Sequence, residues 1–519
     1  MDLLFLWIIQ LSPLLGFIVI QLLPKPFKKA APVIGIAGSL AAAAASLWLF
    51  GIHADGGNLP QEHRRAWLEV AQGSSLVVGF LLDRLNLLMV TLVTTISFFV
   101  QVFSAYYMAE DRSRHRYFGF LSFFAFSMTG LVLSNNLLQT FLFWELVGLS
   151  SYLLIGFWYE KPSAAQAARK AFVVNRLGDL GFYLGVILLF LLFGSLNFTD
   201  LHREALRQAL PPSLLTVIGI LIFTGAMGKS ALFPLHVWLP DAMEGPTPVS
   251  ALIHSATMVA AGVFLLARAF DLFGASAVTL LVVLTAGALT ALIGASLAVI
   301  QRDVKRILAY STISQLGLMV MGIGAGSSTA GMFHLSTHAC FKSLLFLSAG
   351  AYIHAFHTND LWEIAKSGGK KDRLTLWALG LGLFSLSGIF PFSGFFSKDM
   401  ILEIIKEKNP FFYGTALVVS FLTVYYSFRM LFVLIFSKTN RLSSVTHHEP
   451  PIGDHASDHT VGAALGRPLG AAFLAGSPGF PPASHRSPAL EYCKAIPLVS
   501  LALLSLYAGA LGTPIMGHK

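Results

Sequence analysis

This sequence predicts an all-α polytopic membrane protein with about fourteen transmembrane helices. Composition is the first reason: of 519 residues, 55% are hydrophobic and only 12% charged, where soluble domains carry roughly 25% charged residues. The second is run length. The apolar stretches are about 20 residues long, enough for a helix to cross a bilayer, whereas barrel strands alternate over roughly ten. The third is a lysine set inside one of these stretches. A water-soluble fold and an outer-membrane barrel are both excluded.

In chain order the spans fall near 4–24, 31–51, 80–106, 117–134, 137–157, 171–194, 214–232, 248–270, 276–300, 307–326, 329–354, 374–397, 411–437 and 495–513. Met1–Trp7 lacks a basic stretch, so the first span reads as a retained helix and not a cleaved leader. Lys25, Lys28, Lys29, Arg112, Arg114, Arg116, Lys161, Arg169, Lys170, Arg302, Lys305, Arg306, Lys366, Lys370, Lys371 and Arg373 all fall in or beside loops on one side. The positive-inside rule makes that side cytoplasmic and puts both termini opposite, in a bacterial inner membrane or its organelle equivalent. The net charge of +9 therefore reflects loop topology, with a lipid bilayer and no nucleic acid as the partner. The stretch 439–494 is expected to be a flexible polar loop, and 495–519 the last helix with a short tail. In that loop His447, His448, His455 and His459 read as solvated rather than as a metal site.

Lys229 is the most informative residue. It is the only charge in Ile218–Pro234, and a charge at mid-membrane costs about 2.5–3.5 kcal/mol even on insertion scales. Pro234 cannot donate a backbone hydrogen bond and stops a helix. Freed backbone groups at this depth must be buried in protein or face water. A buried lysine beside a helix break is the arrangement expected of an ion-moving protein. Leu232–Met243 and Ile389–Met400 share an order of apolar helix, Phe-Pro, aromatic residue and Asp. Two such interruptions, about five spans apart, point to an inverted repeat; the plainer reading is that proline ends two helices near the surface.

Other ionisable residues interrupt the apolar spans. Glu145 is a candidate partner for Lys229, because proximity favours the charged form of both groups while burial opposes it. A fixed helix–helix ion pair is the alternative. His334, His338 and Lys342 follow at i, i+4 and i+8, so they stack on one helical face. Imidazoles titrate near neutrality and can relay protons, although a single buried histidine is more commonly a packed core residue. Haem ligation would need a second helix with matching histidines, and only His254 is comparably placed. His254 could instead join Lys229 to the stripe. Lys398 occupies the second interruption, either as a counterpart of Lys229 or as a surface pair with Asp399. Arg176 and Asp179, three apart, either modulate Glu145 or pair with each other. Lys305 and Arg306 are membrane-surface anchors or lie at a channel mouth. Cys340 and Cys493 form no Cys-x-x-Cys, and no Gly-x-Gly-x-x-Gly loop occurs, so a redox centre in this chain is unsupported.

The segments Trp144–Leu149, Phe233–His254 and Asp303–Gly317, with His334–Lys342 and Phe390–Asp399, resemble the L-type (mitochondrial subunit 5) antiporter-like subunit of respiratory complex I. The resemblance implies two inverted five-helix repeats with interrupted helices, 111–272 and 273–438, after three N-terminal helices in 1–110. It implies proton translocation as a membrane subunit of NADH:quinone oxidoreductase, an electron-transport translocase of the respiratory chain. FMN, iron–sulfur clusters and quinone would belong to partner subunits, and no cofactor or metal to this chain. Glu145 would be the acid of the Glu–Lys pair, Lys229 the central lysine and Asp179 a modulator. His254, His334, His338 and Lys342 would form the connecting axis, and Lys398 would be the second-half lysine. L-type subunits continue into a long lateral helix, and no C-terminal lateral helix is expected in this sequence. A subunit of a multi-subunit cation (sodium)/proton antiporter is the alternative, and a membrane scaffold without transport a third.

Overall fold

The computed structural model describes residues 1–53, 57, 59–71, 74–438 and 488–515. Among them thirteen helices are long and apolar enough to cross a membrane, which makes this a multi-pass integral membrane protein. The expected loop at 439–494, with its four histidines, lies outside the described residues up to 487. The last helix, Pro488–Ile515, begins before the expected 495. Pro162–Phe193 also begins earlier than expected, and its 32 residues make about 48 Å of helix, more than the roughly 30 Å hydrocarbon core needs.

The span expected at 374–397 is not one helix. Arg373–Ser387 ends at Gly388, whose φ of 75° is left-handed and whose N–H returns to the Phe384 and Ser385 carbonyls. Pro391 follows, and a second helix runs Ser393–Lys408. The other expected break is also present. Pro212–Lys229 stops at Ser230, Ala231 takes a left-handed φ of 49°, and short turns cover Leu235–Trp238 and Asp241–Glu244. A third break was not expected: Thr247–Ser255 and Met258–Arg268 are separate helices. No glycine or proline marks it. The Thr257 hydroxyl donates to Leu252 O at 2.5 Å and so satisfies a carbonyl that the broken helix frees.

Thr247–Arg268 is buried throughout and Val304–Gly324 almost throughout, and Ser328–Phe356 is largely enclosed as well. These three segments are among the most enclosed of the bundle. The outer helices show lipid-type surfaces, such as Leu177, Leu191 and Phe421. Ala277–Ile300 packs on Val304–Gly324 through small residues: a Cβ on Gly317 would lie 2.4 Å from Ala291 N, and one on Gly294 2.6 Å from Ser314 N. Close glycine-mediated packing of this kind is what holds membrane helices in register.

A β-hairpin, Gln61–Ala71 with Ser74–Leu82, precedes the helix Arg84–Tyr107. Residues 80–82, expected to open a span, are therefore strand. The helix begins where Asp83 accepts from Asn86 N at 2.8 Å. Gln139 pairs with both backbone groups of Gly79, at 2.9 and 3.0 Å, and so covers part of the hairpin's edge. Arg268, at the end of the twice-broken segment, holds Asp83 at 2.7 Å and Asn86 at 2.8 Å.

Asp372 caps Arg373–Ser387 by accepting from Thr375 N at 3.2 Å; it also accepts from the Thr375 hydroxyl at 2.7 Å and holds Lys494 of the last helix at 2.7 Å. Burial alone would push this carboxyl up. The Lys494 hydrogen bond and charge, helped by Thr375, outweigh burial and hold it below the usual carboxylate range. A lowered carboxyl contributes stability above its unfolded value of about 4 and loses it as pH falls through the lowered value. Asp372→Asn is expected to cost about 1.5–3 kcal/mol at neutral pH. Thermal unfolding in detergent should show a lower midpoint than the parent at pH 7, with the gap closing in acid; a gap independent of pH would contradict the assignment.

Candidate functional site

The helix break after Lys229 places its ammonium, and the side chain is fully buried. Hydrogen bonds hold the chain around the break. Trp238 Nε1 donates to Gly228 O at 3.0 Å, Ser230 Oγ to Val259 O at 2.7 Å, and Phe233 N to Thr290 Oγ1 at 2.9 Å. The break is thus fastened to three neighbouring segments, with Gly228 O and Phe233 N among its satisfied backbone groups.

The acid facing Lys229 is Asp179, 3.5 Å away and equally buried. Asp179 accepts from Trp144 Nε1 at 2.6 Å, and the Lys229 ammonium sits 5.7 Å from the centre of the Trp144 ring. Gly148, one turn beyond Trp144, makes the room: a Cβ there would lie 2.7 Å from Lys229 Nζ. Glu145 is not in this contact. Each helical residue turns the side-chain direction by about 100°, so Glu145 points away from the Trp144–Gly148 face and pairs with Arg176. The expectation of Glu145 as the direct partner of Lys229 is corrected on this point. The Arg176–Asp179 pair is likewise replaced by two contacts, Arg176 with Glu145 and Asp179 with Lys229. Arg176 lies over Phe172 at 4.8 Å, beside a cavity of about 530 Å³ lined by Glu145, Phe172, Arg176 and Asp179 among others. That cavity opens to the outer face, where Val173, Leu177 and Leu180 are exposed.

The stripe on Ser328–Phe356 lies inside the bundle, with His334, His338 and Lys342 all fully buried. His334 meets Ser397 Oγ at 2.8 Å through Nδ1 and Gln315 Oε1 at 3.0 Å through Nε2. His338 packs edge-on against Phe341, ring centres 5.3 Å apart. Lys342 donates to Ser311 Oγ at 2.5 Å and to Leu308 O at 3.2 Å. His254 is stacked on Phe346 at 5.4 Å, and neither of its ring nitrogens has a hydrogen-bond partner among the described residues. Lys398 is buried and donates to Leu386 O. It forms no ion pair with Asp399 among the described residues, since neighbours on a helix diverge. Lys342 and Lys398 have no carboxylate within ion-pair distance among the described residues, in contrast to Lys229.

Several residues of the site were not singled out in the sequence. Ser311 and Gln315 are polar at i, i+4 on a nearly fully buried helix, which puts them on one face toward Lys342 and His334. Trp144 and Gly148 carry the same spacing. Lys305, read as an anchor or a channel-mouth residue, is buried and donates to Met243 O and, at 2.8 Å, to Gly245 O. It fastens the turn that leads into the half-helix carrying His254. Among the described residues no group of three or more His, Cys, Asp or Glu side chains converges as a metal site.

Comparison with known proteins adds the following. The family described as NADH:quinone oxidoreductase/Mrp antiporter, TM, matches residues 134–423, and that described as NADH-Ubiquinone oxidoreductase (complex I), chain 5 N-terminus, matches 67–118. NAD(P)H-quinone oxidoreductase chain 5 of Picosynechococcus sp. (strain ATCC 27264 / PCC 7002 / PR-6) is 43% identical over 452 residues, covering 85% of this chain and 65% of the relative. The chloroplastic subunit 5 of Zygnema circumcarinatum is 46% identical over 392 residues, covering 73% and 56%. The chain thus spans between about half and two thirds of the length of these relatives. A solved Mrp complex from Dietzia sp. DQ12-45-1b is similar with TM-score 0.76 at 26% identity, covering 98% of this chain and 52% of that one. An archaeal membrane-bound sulfane sulfur reductase shares the fold, with TM-score 0.75 at 22% identity and coverage of 84% and 88%.

Gly148→Ala is expected to push the Lys229 ammonium off its seat beside Asp179. If this site carries transport, a shift of that size should lower transport by about tenfold or more with the protein still present at parent level in the membrane. Parent-level transport in Gly148→Ala would contradict the role of the close approach.

Proposed function

Because this chain belongs to the NADH:quinone oxidoreductase/Mrp antiporter transmembrane family, we propose that it is a proton-translocating membrane subunit of an NAD(P)H:quinone oxidoreductase. Electron transfer would take place in partner subunits carrying FMN, iron–sulfur clusters and the quinone site. The membrane would be a bacterial inner membrane or an organelle equivalent, and the neighbours other subunits of the membrane arm. The observation that carries the reading is the series of buried cations inside the bundle: Lys229 with Asp179 at 3.5 Å, then Lys342 and Lys398 among hydroxyls, histidines and carbonyls.

In this reading Asp179 compensates the Lys229 ammonium directly, and Glu145 with Arg176 modulates the pair from the outer face. Drawing Asp179 away leaves a buried cation without a counter-charge, which favours release of its proton. His254, His338 and His334 then offer imidazoles along the interior, with Lys342 between them and Lys398 at the second break. The breaks at Pro234 and Pro391 support a division into two five-helix repeats, 111–272 and 273–438, following three helices in 1–110. Interrupted helices in matching positions are where such repeats hold their ion sites.

A second reading is favoured by the likeness to the solved Mrp complex: a subunit of a cation (sodium)/proton antiporter, with the same axis and no redox partner. Tagged chain isolated from mildly solubilised membranes separates the two. Co-purification of flavin and iron–sulfur proteins with NADH- or NADPH-driven quinone reduction supports the first; small membrane partners with sodium-dependent transport support the second. Under the first, Lys229→Ala is expected to assemble and to lose at least about 90% of proton pumping, within the range that positioned proton-transfer groups contribute. Full pumping by Lys229→Ala would refute both readings of the axis.

A further inference from the structure

A buried cluster around His334 lets each hydrogen be placed. Gln315, His334, Thr337, Ser397 and Thr423 are all fully buried. Thr423 Oγ1 donates to Val419 O at 2.8 Å, so toward Gln315 it can only accept. Gln315 Nε2 donates to it across 3.4 Å, which turns Oε1 toward His334 Nε2, 3.0 Å away. An amide oxygen accepts and does not donate, so His334 carries its hydrogen on Nε2. Its Nδ1 is then the acceptor of the neutral ring, and Ser397 Oγ donates to it across 2.8 Å.

The Ser397 hydroxyl has a second place for that hydrogen. Ser393 O and Gly394 O, on its own helix, each lie 3.4 Å from Ser397 Oγ, and Thr337 Oγ1 lies 2.9 Å away. A serine one turn from two carbonyls can rotate its hydroxyl to them at little cost, as serines inside helices commonly do. With the hydroxyl turned back, an oxygen lone pair faces Nδ1. Ser397 also stands immediately before Lys398, whose ammonium is held by Leu386 O.

We propose that Ser397 is a two-position hydroxyl gate that decides when His334 can carry a second proton next to Lys398. In the first position Ser397 donates to Nδ1, and the ring stays neutral. In the second it donates to Gly394 O or Ser393 O. Nδ1 then takes up one proton released by a buried ammonium of the series, Lys342 or Lys398, giving an imidazolium whose Nδ1–H is hydrogen-bonded to Ser397 Oγ. When that proton leaves Nδ1 for the other of these two lysines, standing neutral, the hydroxyl swings back. The serine keeps its own hydrogen throughout, and the Nε2 hydrogen stays on His334, donated to Gln315 Oε1, so one proton enters and one leaves. Gln315 is a positioning residue: by holding Nε2–H it reserves Nδ1 for the proton in transit. This inference rests on the proton-translocating reading given above.

The test uses membranes containing the complete assembly and measures quinone reduction and proton uptake together, as protons moved per electron. Ser397→Ala removes the donor that blocks Nδ1. It is expected to keep most of the quinone reduction while the proton-to-electron ratio falls several-fold, because His334 can then load out of step. Ser397→Thr keeps a hydroxyl and is expected to restore the parent ratio. A parent ratio in Ser397→Ala would overturn the gate, as would an equal loss in Ser397→Thr, which would indicate packing alone. Should the alanine variant fail to assemble, Ser397→Val, close in shape to the threonine variant but without a hydroxyl, reads the same ratio, and a parent value there would overturn the gate too. Lys229→Ala in the same membranes separates the two levels. If it pumps normally, the proton reading itself fails; if it does not pump while Ser397→Ala pumps normally, only the gate fails.

Discussion

A cation that must stay deep in a bilayer-spanning protein is the constraint from which the rest of this structure follows. Lys229 is fully buried, and its one close carboxylate among the described residues is Asp179 at 3.5 Å. Taking both charges out of water costs several kcal/mol per ion in effective terms, and only good geometry with further hydrogen bonds offsets it. Trp144 supplies one such bond to Asp179, and Gly148 leaves the space that lets the ammonium reach its place. Three residues of two helices are therefore arranged around one charge.

The helix interruptions answer to the same physics. Ending a helix beside Lys229 exposes backbone carbonyls and N–H groups where no lipid can satisfy them. At the break after Lys229, Trp238 serves Gly228 O and Thr290 serves Phe233 N while Ser230 ties the chain to Val259 O; Thr257 serves Leu252 O at the break before Met258, and the left-handed Gly388 closes the helix before Pro391. Lys305, held by carbonyls of the 243–245 turn, links Val304–Gly324 to the segment that carries His254. That same helix presents Ser311 to Lys342 and Gln315 to His334. One helix thus touches the first break at its N-terminus and the second-half polar cluster two turns further on, a short mechanical route between the two halves.

Much of this was legible in the amino-acid order, and the exceptions have physical causes. Lys229, Lys342 and the histidines stand out because ionisable groups are costly in apolar runs. The breaks at Pro234 and Pro391 stand out because proline lacks the N–H that a helix needs. The identity of the acid facing Lys229 was not legible. Glu145 and Asp179 are both carboxylates in apolar helices, and only the rotation of each helix decides which one turns inward. The break at Thr257 left no proline or glycine signal, since a hydroxyl does the satisfying. The hairpin at 61–82 mixes charged and apolar residues, and its pairing with Gln139 is visible only in three dimensions. Ser311, Gln315 and Ser397 are ordinary helix residues by composition, and burial alone makes them chemistry.

The central claim is that Asp179, and not Glu145, compensates the buried Lys229 charge. The most direct measurement compares membrane abundance and thermal stability of Asp179→Asn, Glu145→Gln and the double variant Asp179→Asn/Lys229→Gln. Removing one partner of a buried pair costs about 3–5 kcal/mol, because the other charge is left uncompensated. Asp179→Asn is therefore predicted to be strongly destabilised, Glu145→Gln much less so, and the double variant to regain stability because no charge remains. A stable Asp179→Asn protein beside a destabilised Glu145→Gln protein would contradict the account.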